Sequence, residues 1–180
     1  MKRIILVTGP PGVGKTSVLR RVITELKNQN YEVGGVICRD VREGGVRVGF
    51  EIMDVSTGTR GWLAHINQPT GPKVGKYQVN LTDLDIIGAG SLLDATKNAD
   101  AIAVDEIGPM ELLSDSFSNA LTKAVESAKP VLGTIHYRLD TPLVKSIKLR
   151  DDTQILTVTY DNREVLHTQI VNSITECMPK

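Results

Sequence analysis

Ile4-Ile5-Leu6-Val7 runs through Thr8 into Gly9-Pro10-Pro11-Gly12-Val13-Gly14-Lys15-Thr16, an apolar stretch followed at once by the pattern GxxxxGK[ST]. A buried strand that enters a glycine-rich turn and then a helix points successive backbone N–H groups, and the positive end of the helix dipole, at one spot. An anion belongs there. Gly9, Gly12 and Gly14 let the backbone fold around a phosphate without side chains in the way. Lys15 supplies a point charge for the β and γ phosphates, and the Thr16 hydroxyl is placed for Mg²⁺.

Downstream, Val18, Leu19, Val22, Ile23 and Leu26 recur at helical spacing and predict a helix over residues 17–29. Residues 32–38 read as a strand and 46–55 as a half-exposed one, joined by a turn at Gly44-Gly45. Residues 56–80 are rich in Gly, Thr, Pro and Asn and predict loops and hairpins, with extended pieces at 61–65 and 76–79. The stretch from about 39 to 80 therefore reads as an insertion on the core. Residues 84–99 have helical spacing, which Gly88 and Gly90 weaken by about 1 kcal/mol each. Ala101-Ile102-Ala103-Val104-Asp105 is an apolar run that ends in an acid, the profile of a strand buried on both faces of a parallel sheet. A helix over 116–128, a strand over 130–136, a helix over 141–149 opened by Pro142, a strand over 154–159 and a helix over 163–176 complete the alternation. The expected architecture is α/β, one domain over 1–180.

Composition sets the outer limits. The chain has 180 residues, 41% hydrophobic and 23% charged, with 21 basic against 21 acidic side chains. That balance gives no broad basic field of the kind that drives nonspecific nucleic-acid binding, although a local patch stays open. Cys38 and Cys177 are the only cysteines and form neither a CxxC nor a zinc pattern, so a reducing cytoplasm is the simplest setting. The apolar stretch after Lys2-Arg3 ends too soon for a signal core or a membrane span.

A phosphate loop needs a second anchor for its metal, usually an acid at the end of a neighbouring buried strand. Asp105 meets that need. Glu106 follows it, where a carboxylate can reach the water facing the γ phosphate and act as general base. An isolated charge at the end of so apolar a run would be costly, so the pair has separate roles. Arg39, Arg42 and Arg47 are candidates to meet the charge developing on the transferred phosphoryl group, as is an arginine from another subunit. The sequence does not choose among them. His136, at the end of the strand after Asp105, could sense the γ phosphate or be an ordinary polar strand end, and Thr134 reads likewise. Trp62 reads as an anchor under the hairpins more than as a base-stacking surface. Asn162-Arg163 follows the last strand, where a loop can reach the base, with helix capping as the rival role for Asn162.

Assembled, these residues resemble the small nucleoside-triphosphatase family of archaea, thermophilic bacteria and animals. The resemblance spans nearly the whole chain. It rests on Gly9 to Thr16, on Val41-Arg42-Glu43-Gly44-Gly45 with Arg47, Gly49 and Phe50, on Val74-Gly75-Lys76-Tyr77, on Asp105-Glu106-Ile107-Gly108-Pro109-Met110-Glu111-Leu112, and on Asn162-Arg163. The phosphate loop is shared by many families; the block from Asp105 is far more specific. The resemblance implies a RecA-like core and slow, Mg²⁺-dependent hydrolysis of the terminal phosphate of ATP, GTP, CTP and UTP. It places the nucleotide against the loop and against Ala101, Ile102, Ala103, Val104, Asp105, Glu106, Ile107 and Gly108. Cys38-Arg39-Asp40 departs from the family, which tends to carry an aromatic, a threonine and an acid there.

The expected reaction is therefore hydrolysis, with Lys15 on the phosphates, Thr16 and Asp105 on the metal, Glu106 activating water and Arg42 assisting. Two rivals share the core. A nucleotide or metabolite kinase would use residues 56–80 as an acceptor site or lid, yet no arginine-rich lid is visible there. A nucleotide-switched module for nucleic acid or protein would show a salt-sensitive complex. The oligomeric state is not legible.

Overall fold

The computed structural model describes residues 1–178. In chain order the elements are β1 (Ile4–Thr8), α1 (Lys15–Asn28), β2 (Val33–Glu43), β3 (Val46–Asp54), β4 (Arg60–His65), β5 (Lys73–Val74) and β6 (Tyr77–Val79). Then come α2 (Leu81–Asp83), a π-helical stretch Leu84–Ala89, α3 (Gly90–Asn98), β7 (Ala101–Ile107), a 3-10 turn Glu111–Leu113 and α4 (Asp115–Glu126). β8 (Val131–Ile135), α5 (Pro142–Lys148), β9 (Thr153–Thr157) and α6 (Leu166–Thr175) close the described chain.

The strands form one sheet in the order β5-β6-β4-β3-β2-β7-β8-β1-β9. Pairing is parallel from β2 through β7, β8 and β1 to β9 and antiparallel from β2 out to β5. Successive strand side chains leave opposite faces, so each parallel strand feeds two cores. Ile4, Leu6, Ile102 and Val104 join Leu92, Phe117 and Leu121 on one face. Ile5, Val7, Ala101, Ala103 and Leu132 join the apolar sides of α1 and α6 on the other.

That alternation aims the site. Asp105 continues the register of Ala101 and Ala103, toward α1, and Thr134 continues that of Leu132 on the neighbouring strand. Gly35 lets β2 lie close to β7: its φ is +109, and a Cβ there would fall on the Ala103 carbonyl oxygen.

The structure differs from the sequence reading in three places. β2 runs to Glu43 instead of stopping near residue 38, because β3 pairs with it as far as Glu43 opposite Val46. The helix expected over 84–99 ends at Asn98 and widens to π geometry at Leu84–Ala89, where a Cβ on Gly88 would press the Phe117 ring at 3.2 Å. The last helix begins at Leu166, after a turn in which Arg163 N–H donates to Thr159 O at 3.1 Å. The two middle helices start on side-chain caps: Ser114 accepts from Phe117 N and Thr141 from Val144 N, with Pro142 in the first turn of α5.

Candidate active site

The phosphate loop joins β1 to α1 with Gly9, Gly12 and Gly14 all at positive φ, +150, +78 and +110. Side-chain-bearing residues rarely adopt these angles, so the glycines permit the turn. Val13 is buried in the α1 core and pins the loop from beneath. Lys15 folds over it, its Nζ donating to Gly9 O at 2.9 Å and Pro10 O at 3.2 Å. The ammonium thus stands where loop amides and the helix N-terminus already favour negative charge.

Thr16, the next residue, faces the end of β7. Its Oγ1 donates to Asp105 Oδ1 at 3.3 Å, and Thr134 Oγ1 donates to the same oxygen at 2.6 Å. Asp105 is 2% exposed. Among the described residues its second oxygen, Oδ2, is buried without a hydrogen-bond partner. Burial pushes the Asp105 carboxyl up, and the Thr134 and Thr16 hydroxyls pull it part of the way back. A buried carboxylate with one oxygen unanswered beside a threonine hydroxyl offers the hard oxygen donors that Mg²⁺ takes.

Glu106 is half-buried. Burial raises its carboxyl, the Asp105 charge raises it further, and Lys15 opposes both. A carboxylate of raised proton affinity under the influence of the loop lysine, Lys15, is suited to take a proton from water. Glu111 was not singled out by sequence reasoning beyond its place in the Asp105 block, yet it is 5% exposed and belongs to this site. Burial and the Glu106 charge push it up to about 8. Cys38, at the end of the buried part of β2, is pushed well up by burial and by Glu111.

Other candidates stand at varying distance from this centre. Burial lowers His136, and the Lys15 and Arg138 charges lower it further; its Nδ1 accepts from Arg138 N at 3.3 Å. Thr134, set aside with His136 in the sequence, is instead the strongest hydrogen-bond partner of Asp105. Each hairpin arginine is engaged locally: Arg39 pairs with Glu51 at 2.8 Å, Arg47 with Asp40 at 2.6 Å and Arg42 with Asp40 at 3.5 Å. Asn162 closes its own turn, accepting from Thr159 N at 2.8 Å and donating to Thr157 O at 2.9 Å. The Arg163 side chain passes the loop, its Cδ 3.5 Å from where a Cβ on Gly14 would lie, and its guanidinium stands over the exposed Tyr160 ring at 5.1 Å and beside Glu164 at 3.6 Å. Trp62 is half-buried and meets His65 edge-on at 4.6 Å.

This loop, with Asp105 and Glu106, sits within a matched stretch: a family model described as NTPase covers residues 4–171. The chain belongs to the NTPase family. Relatives called nucleoside-triphosphatase THEP1 include one from Thermofilum pendens, 44% identical over 94% of this chain and 93% of its own length. The one from Methanosarcina acetivorans is 41% identical over 93% of this chain and 94% of its own. Solved structures show the same fold. That of THEP1 from the hyperthermophile Aquifex aeolicus has a TM-score of 0.81 at 27% identity, covering 95% of this chain and 98% of that one. That of a human cancer-related nucleoside triphosphatase has a TM-score of 0.81 at 34% identity, covering 97% and 98%. The α/β sheet flanked by helices, parallel from β2 across the sheet to β9, is thus the NTPase family's architecture. No helix among the described residues is long and apolar enough to cross a membrane.

Proposed function

We propose that this NTPase-family chain hydrolyses the terminal phosphate of nucleoside triphosphates, with Glu106 as general base and Mg²⁺ held by Thr16 and Asp105. The observation that carries this reading is the convergence of Thr16 on Asp105 at 3.3 Å, with Glu106 next in the chain and under the influence of Lys15. When bound, Mg²⁺ neutralises charge on the β and γ phosphate oxygens. Binding the triphosphate draws Lys15 from the Gly9 and Pro10 carbonyls to the phosphates. The loop amides and Lys15 then orient the terminal phosphoryl group, and the Glu106 carboxylate takes a proton from the attacking water.

Two further assignments belong to the same reading. Arg42 is the arginine that assists, since its pair with Asp40 is the longest of the three ion pairs, its other bond is to the Gly45 carbonyl at 3.1 Å, and Asp40 keeps Arg47 when Arg42 leaves. On the base side Arg163 makes the contact, because the Asn162 side chain is occupied within its turn. Neither depends on a particular base, so ATP, GTP, CTP and UTP are all expected substrates.

Phosphate release measured with each of these triphosphates, with Mg²⁺ and with EDTA, tests the reaction class. Release from several bases without any acceptor, abolished by EDTA, is expected. Product that forms only when an acceptor is added would make the chain a kinase.

A further inference from the structure

Glu111 takes no part in the steps above, yet it is a buried acid at the end of the strand that carries them. The backbone returns it there: Leu112 N–H donates to Gly108 O at 3.1 Å and Ser114 N–H to Glu111 O at 3.2 Å, closing the chain into a tight turn directly after β7. Gly108 shows how close the two acids come. A Cβ on Gly108 would lie 2.7 Å from Glu111 Oε2 and 2.8 Å from Glu106 Oε1, so both carboxyl groups occupy the space beside one glycine. Any larger residue at 108 would displace both.

No cation accounts for Glu111: among the described residues no lysine, arginine or histidine forms an ion pair with it. With no ion-paired cation and only backbone N–H groups to answer it among the described residues, a carboxylate buried next to Asp105 and Glu106 is costly in its charged form. With its proton affinity raised to about 8, the group is a neutral acid near neutral pH. It then has one O–H to donate and adds no like charge to its neighbours.

We propose that Glu111 is a positioning residue for hydrolysis: its carboxyl, sharing the space beside Gly108 with that of Glu106, fixes the direction in which the Glu106 side chain leaves the strand. Without it, Glu106 turns into the vacated space and away from the water. This inference rests on Glu106 being the general base.

Glu111→Ala, Glu111→Gln, Glu106→Gln and the double variant Glu106→Gln/Glu111→Ala are compared for kcat, KM and ATP binding, with circular dichroism as the check on folding. Glu111→Ala is expected to lower kcat about tenfold or more while KM and ATP affinity stay within about twofold. Glutamine keeps the volume and a donor, so it restores kcat to within about threefold of the wild-type value. The double variant matches Glu106→Gln alone, since a residue that acts only through Glu106 has nothing to position once the base is gone.

Wild-type kcat in Glu111→Ala, a parallel loss of kcat and ATP affinity, or a glutamine variant as impaired as alanine overturns the proposal. Should Glu111→Ala not fold, Glu111→Ser vacates most of the same space while keeping a hydroxyl and is expected to show the same fall in kcat at constant ATP affinity. Wild-type kcat there overturns it too. Hydrolysis lost in Glu106→Gln but intact in Glu111→Ala defeats this inference alone, whereas hydrolysis intact in Glu106→Gln defeats the base assignment beneath it.

Discussion

At the scale of single residues, the site is built around two buried acids, Asp105 and Glu111, with Glu106 half-buried beside them. Asp105 shares one oxygen between two threonines and leaves the other unanswered, and Glu111 is buried with its proton retained. Retention of that proton has a consequence for stability. A carboxyl whose folded value, about 8, lies above its unfolded 4.5 favours the folded state fully below the lower value. That contribution is lost as pH rises through the window, because the folded form then binds more protons than the unfolded one. Glu111→Gln removes this slope. The melting temperature of the variant relative to wild type is therefore expected to climb between pH 5 and 8.5; a constant difference would show that Glu111 titrates normally. Asp105 and Glu106 were legible in the sequence because acids that close so apolar a run are costly to bury unless a ligand answers their charge. Glu111 was not, because its burial depends on a turn whose closure cannot be read from spacing.

At the scale of elements, the decisive contacts are close approaches between backbones. β2 and β7 pair over only Val33 to Val36 opposite Ala101 to Val104, and Gly35 makes that approach possible. Gly35→Ala combines a strained positive φ with a collision against the Ala103 carbonyl. It is expected to destabilise the fold by on the order of 3 kcal/mol or more, measurable by urea unfolding. A loss below about 1 kcal/mol would mean the two strands can separate freely. The core strands were legible because double-sided burial leaves an uninterrupted apolar run, and the helices because their apolar positions recur at 3.6-residue spacing. Strands β4 to β6 were visible only as short extended pieces, since nothing local in Gly61 to His65 or Tyr77 to Val79 states which edge they will join. The hairpin arginines were hard to rank for a similar reason: their partners, Glu51 and Asp40, lie across strands.

At the scale of the whole molecule, one sheet divides two apolar cores, and the loop, Thr16, Asp105 and Thr134 all gather on the α1 side. The opposite core can be weakened without touching that chemistry. Phe117, 1% exposed within it, is expected to cost about 3–5 kcal/mol of stability when replaced by alanine. Below the lowered melting point, ATP affinity should stay within about twofold of wild type; a large loss would show that the two faces are coupled. The chain's place in the NTPase family fixes this architecture and the class of reaction, while the roles of particular side chains await test. On the proposed reading, the phosphate loop and Glu106 together make a hydrolytic site. Single-turnover phosphate release from Mg·ATP by Glu106→Gln, with ATP binding measured on the same samples, tests it most directly. Release slowed at least about a hundredfold with binding unchanged is the expected result; wild-type release with ATP bound would contradict it.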